Sequence, residues 1–135
     1  MISSIHRSPG SSRQGFTLIE LLIVALILTI LMAIAMPLYL SSVSNSQKKT
    51  CRANMQTIAN AVQSARVKSD AINYNAIISS CASSVTTAAL PDLQYIPQCP
   101  DGGDYSLSAG IVTGGFAVEC SYGNHGSFEP GLNSN

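Results

Sequence analysis

The sequence predicts an α+β fold. One long N-terminal helix, membrane-spanning in its first half and amphipathic in its second, packs on a small antiparallel sheet of about three strands. Three observations predict it. Residues 16–40 (FTLIELLIVALILTILMAIAMPLYL) are almost wholly apolar. Residues 42–69 carry an apolar stripe at helical spacing, and residues 105–120 are rich in β-branched and aromatic types interrupted by glycine. The 135 residues suffice for one domain of ordinary size. Only 10% are charged and the formal net charge is zero. That is far below the charge of an ordinary soluble protein and lacks the basic excess of a nucleic-acid binder.

The elements follow in chain order. Residues 1–15 are polar, with Arg7 and Arg13 and no acid. The apolar run of 16–40 would make a helix about 37 Å long, enough to cross a hydrocarbon core of about 30 Å. Arginines precede it, and an acidic, glycine-rich part follows. The positive-inside rule therefore leaves the N-terminus in the cytoplasm and the bulk of the chain outside. A secretory signal is the alternative: Ala33-Ile34-Ala35 fits a small-residue cleavage site, and a soluble binding domain would then begin at Met36. Glu20 counts against that reading, because a carboxylate inside an apolar stretch is costly.

The residues Arg13-Gln14-Gly15-Phe16-Thr17-Leu18-Ile19-Glu20-Leu21-Leu22-Ile23-Val24 resemble the cleavage and methylation signature of type IV prepilins and pseudopilins. The resemblance covers about 25 residues and is dense. It implies a pilin fold, a leader (1–15) removed by a prepilin peptidase between Gly15 and Phe16, and N-methylation of the new Phe16 amine. Unlike a secretory signal, the apolar segment is kept. It also implies assembly, by inner-membrane machinery, into a filament with other pilins.

Within that frame Glu20 acquires a role. After cleavage it lies one helical turn from a positive terminus. In a bundle of such helices, Glu20 of one subunit would meet the Phe16 amine of its neighbour and fix axial register, as single buried polar groups do in coiled coils. The alternative is a snorkelling or protonated carboxyl with no partner. Pro37, inside the helical stretch, predicts a kink or local unwinding, or the point where the helix leaves the bilayer.

Beyond the membrane the helix continues over 41–69. Cys51, Met55, Ile58 and Val62 recur at spacings of 4, 3 and 4, and Ala59 and Ala65 widen the stripe. Lys48, Lys49, Arg52, Arg66 and Lys68 fall mostly off it. DNA contact, as in competence pili, is one use of such a basic face. Charges this dispersed read instead as a solvated face, or as a match for acids on a neighbouring subunit.

Residues 70–135 form the head. A short helix is expected within Ala71–Cys81 and an extended stretch at Leu90–Pro97. Strands are expected at Tyr105–Ala109 and Ile111–Cys120, with Gly110 and Gly114-Gly115 at turns. Tyr105, Leu107, Ile111, Val112, Phe116 and Val118 are the expected inward set. Such a core is thin. Four cysteines in an exported head then read as two disulfides, Cys51–Cys81 and Cys99–Cys120, each joining neighbouring elements. All three connectivities stay open, a crossed Cys51–Cys99 among them. No metal site is expected, because no C-x-x-C occurs.

Cys99-Pro100-Asp101-Gly102-Gly103-Asp104-Tyr105, with Cys120 and Asn124-His125-Gly126, resembles more weakly a C-terminal pattern of small pilin-like proteins. Calcium on Asp101 and Asp104, in a region where major pseudopilins of type II secretion carry it, would have too few oxygens. Turn chemistry explains these acids, so no cofactor is expected. His125 stands alone, no nucleophilic arrangement or phosphate-binding loop is visible, and the chain reads as a structural subunit rather than an enzyme. The expected function is a subunit of a type IV pilus or similar cell-envelope filament, serving adhesion, motility or DNA uptake. It would be held in the inner membrane before assembly and in a surface or periplasmic filament after it. A type II secretion pseudopilin is the alternative. Loss of the leader would leave five basic and seven acidic residues, a net charge of −2.

Overall fold

The structure, a computed structural model, describes residues 15–123 and 125–132. Arg7 and Arg13, and the leader up to residue 14, lie outside the described residues. The elements are α1 (Leu18–Lys68), α2 (Asn75–Cys81), β1 (Tyr105–Ala109), β2 (Phe116–Cys120) and β3 (Ser127–Phe128). The chain divides into two compact units, one ending at Tyr39 and the other beginning at Leu40.

In the first unit, every side chain from Gly15 to Tyr39 is exposed. Leu21, Ile27, Leu31 and Leu38 are all more than half open. Length and composition let this helix cross a membrane. Thr29, the polar interruption, donates its hydroxyl to the Leu26 carbonyl at 2.7 Å and so keeps its hydrogen bond inside the helix. Pro37 lies within α1, and the helix continues through it without the expected local unwinding. Its missing N–H leaves the Ala33 carbonyl without the usual helical donor.

In the second unit, Cys51, Met55, Ile58 and Val62 are buried to within 1% of completely, as their spacing predicts. Ala59, Ala61 and Ala65 beside them are buried too. The helix ends in a Schellman turn. Asp70 takes φ +50°, the Asp70 N–H donates to the Val67 carbonyl at 3.3 Å, and the Ala71 N–H donates to the Arg66 carbonyl at 3.2 Å. Arg66 locks the turn: its Nε donates to the Ala71 carbonyl, its Nη1 to the Tyr74 hydroxyl, and its guanidinium lies 4.8 Å from the Tyr74 ring centre. Tyr74 in turn packs against Phe116 at 4.6 Å between ring centres.

The short helix expected within 71–81 is α2. Where an extended stretch is expected at Leu90–Pro97, residues 86–93 turn: the Leu90 N–H donates to the Thr86 carbonyl, and the Leu93 N–H donates to the Leu90 carbonyl. Leu90 plugs the core from this segment. Asp92 ties it to α1, accepting from Ser64 Oγ and Lys68 Nζ, and these bonds hold its carboxyl below the usual carboxylate range.

The sheet is antiparallel in the order β1-β2-β3, with Leu107 opposite Val118 and Val118 opposite Phe128. Tyr105, Leu107, Phe116 and Val118 face inward as expected. Ile111 and Val112 do not: Ile111 is 90% exposed, and the second strand starts at Phe116 rather than Ile111. The cause is a hairpin connection built from Gly110 to Gly115. Gly115 donates to the Val112 carbonyl at 2.8 Å, and Gly114 takes φ +79°. Glu129 fixes this connection from beyond β3. It is buried to 6% exposure, and its two carboxylate oxygens accept the Ile111 and Val112 N–H groups at 3.0 Å each. β-Propensity at 111–112 is thus overridden by a carboxylate that captures the backbone.

Glu129→Ala removes both acceptors. Bonds to a charged group contribute about 1.5–3 kcal/mol, so the head should lose about 2–3 kcal/mol, with Glu129→Gln falling between it and the parent. Urea midpoints of the full chain in detergent, read by pulse proteolysis, check this. An unchanged midpoint for the alanine variant would show that the hairpin holds itself.

Candidate processing and assembly site

Gly15 and Phe16 precede the first helical residue. Phe16 is 84% exposed, and among the described residues nothing comes within 4 Å of where a Cβ on Gly15 would stand. No described side chain covers the peptide bond between them. The next residues start the helix by a capping box, which Thr-x-x-Glu ahead of an apolar run specifies. Thr17 Oγ1 accepts the Glu20 N–H at 3.3 Å, while Glu20 Oε2 accepts the Thr17 N–H and the Thr17 hydroxyl at 2.8 Å each. Two backbone donors that a helix start leaves orphaned are satisfied reciprocally.

The Glu20 carboxylate is therefore turned back toward the Phe16–Thr17 end, where the helix dipole also favours negative charge. Its partner in the uncut chain is Thr17, one turn away, a contact that the expectations of a register pair or a snorkelling carboxyl did not include. The signal was in the sequence, as the three-residue spacing of Thr17 and Glu20.

Residues 10–36 match the family described as the prokaryotic N-terminal methylation motif. The chain carries the type IV prepilin signature. The prepilin signature marks a family of structural subunits that a prepilin peptidase processes and that assemble with other pilins into filaments. With the long apolar helix, it supports anchoring in the inner membrane before assembly. The match ends at Met36, ahead of the whole second unit. No curated protein and no solved structure matches the chain.

Neither expected pair, Cys51–Cys81 nor Cys99–Cys120, is joined in the structure. The fold brings Cys99 and Cys120 together, as that pairing requires, and places Cys51 with them rather than Cys81. Cys51 on α1 lies with Cys99 and Cys120 and with His125, their ligand atoms all within 4.8 Å of one another. Cys81 ends α2 outside this group, buried as a small apolar side chain. Burial pushes the Cys51 thiol up to about 12. Cys99 is also buried, but backbone N–H groups of Asp101 and Gly103 stabilise its thiolate and bring it down to about 7.

Linear spacing shows no close cysteine pair, but the fold brings three thiols and one imidazole together. His125, alone in the sequence, joins them. The sequence hint was Cys-Pro-Asp-Gly and Cys-Ser-Tyr-Gly, two cysteine turns with one thiol each. Of the acids considered for calcium, Asp101 bonds to His125, while Asp104 enters the fold through its backbone: its N–H donates to Ser121 Oγ and its carbonyl accepts from the Ser121 N–H.

Proposed function

We propose that the chain is a structural subunit of a type IV pilus or pilus-like cell-envelope filament. One observation carries this reading: the prepilin signature opens a helix whose apolar side chains, from Phe16 to Tyr39, are exposed among the described residues. In water that surface would aggregate. Lipid covers it in the membrane, and equivalent helices of other subunits cover it in a filament. The same segment thus serves as anchor first and filament core later.

The sequence of events follows from the residues. Arg7 and Arg13 hold the N-terminus in the cytoplasm. The peptidase cuts the Gly15–Phe16 bond, and the Phe16 amine is methylated. Glu20, already turned toward that end by Thr17, then meets the Phe16 amine of a neighbouring subunit as both leave lipid. The head stays outside and forms the filament surface.

Mass spectrometry of the chain from peptidase-positive cells tests this reading. The expected N-terminus is methyl-Phe16, with the uncut chain accumulating when the peptidase gene is deleted. A start at Met36 would identify a secreted domain instead. Deletion of the subunit should then remove surface filaments. Loss of protein secretion with filaments intact would place it in a type II secretion system.

A further inference from the structure

We propose that Cys51, Cys99, Cys120 and His125 form a structural zinc site that staples the head together. The proposal is independent of the filament role. The four side chains come from α1, from the loop before β1, from the end of β2 and from the β2–β3 connection, and their ligand atoms converge within 4.8 Å. A tetrahedral zinc, with bonds of about 2.3 Å to sulfur and about 2.0 Å to nitrogen, sets its ligands about 3.5–3.8 Å apart. The Cys99 Sγ to His125 Nδ1 distance is 3.1 Å and the Cys120 Sγ to His125 Nδ1 distance is 3.9 Å, which bracket that spacing.

The ligands are also supported from behind. The Tyr105 hydroxyl donates to Cys51 Sγ at 3.4 Å. Gly102 takes φ +78° to curl the first turn around the Cys99 sulfur. A Cβ on Gly103 would stand 2.8 Å from Cys120 Sγ, so glycine permits the close approach. His125, with its side chain 1% exposed, presents Nδ1 to the sulfurs while Nε2 donates to Asp101 Oδ2 at 2.9 Å. A carboxylate behind a ligating histidine fixes its tautomer and orientation.

A disulfide accounts for less. It would join two of the three sulfurs and leave the third, with a buried histidine, facing it. Three thiolates and one imidazole in a closed tetrahedral set suit zinc, and no position remains open for substrate, so the role is structural. Binding replaces the three thiol protons, which pass to solvent, with three zinc–sulfur bonds and one zinc–nitrogen bond. Affinity therefore falls as pH drops.

The test uses the full chain extracted in detergent under thiol-alkylating and, separately, zinc-replete reducing conditions. About one zinc per chain is expected by elemental analysis. Cobalt substitution should give the visible bands of a tetrahedral thiolate complex. Cys81→Ser should retain the metal and Cys99→Ser should lose it. Asp101→Asn keeps the backbone donor and removes only the carboxylate, and should weaken zinc by about 10–100-fold. No zinc in the parent after reconstitution would overturn the proposal. So would a disulfide between any two of Cys51, Cys99 and Cys120 in protein taken directly from cells, or equal zinc affinity in Asp101→Asn and His125→Ala.

Discussion

Glu20→Gln is expected to leave membrane insertion and leader cleavage intact and to lower incorporation into filaments by at least about tenfold. The substitution separates two roles that alanine would confuse. Glutamine serves in a capping box as glutamate does, so the reciprocal bonds with Thr17 survive. What is lost is the charge. If Glu20 pairs with the methylated Phe16 amine of a neighbour inside a helix bundle, that amine is left buried and unpaired, and breaking such a pair costs about 3–5 kcal/mol. Glu20→Ala should assemble no better, because it loses the cap as well, worth about 1 kcal/mol. Fractionation of membranes and sheared filaments, with the two variants expressed beside the parent, reads both quantities. Parent-like assembly of Glu20→Gln together with failure of Glu20→Ala would assign Glu20 to helix initiation and end the pairing reading.

The parts of this chain that were legible in its sequence are those whose physics is local. A peptidase reads contiguous residues, so Gly15-Phe16 and the run behind it stand out in linear order. The stripe Cys51, Met55, Ile58, Val62 was legible because a helix imposes a fixed period on whatever it buries. What was hidden depends on distance in space. Cys51, Cys99, Cys120 and His125 meet only when the helix, a loop, a strand end and a turn are in place, and their spacing along the chain carries no trace of it. An even cysteine count in an exported head points to two disulfides but does not say which cysteines meet. The fold separates one cysteine from the other three. Ile111 and Val112 misled in another way: their strand propensity is real, but Glu129, eighteen residues on from Ile111, holds their N–H groups in a turn. β3, two residues long, is too short to show any alternation.

The core of the head should prove as exacting as it is thin. Phe116→Ala is expected to destabilise it by about 3–5 kcal/mol, the range for removing a buried aromatic ring. Phe116 is 2% exposed, lies in the cluster with Met55, Ile58 and Val62, and contacts Tyr74. Its loss would also release Tyr74 and, through it, the Arg66 bonds that close the C-terminal turn of α1. A domain of this size has about 5–15 kcal/mol in all, so the variant would stand near the threshold of folding. Ile111→Ala is the control: an equally apolar residue that the strand pattern placed in the core, but which is 90% exposed and should change stability by no more than about 0.5 kcal/mol. Pulse proteolysis in urea of the full chain in detergent separates the two, because cleavage reports opening of the head while the membrane helix stays covered. A Phe116→Ala midpoint close to that of Ile111→Ala would mean that the ring is not part of the folded core. A large shift for Phe116→Ala alone would show that burial, rather than residue type, decides which apolar positions hold the head together.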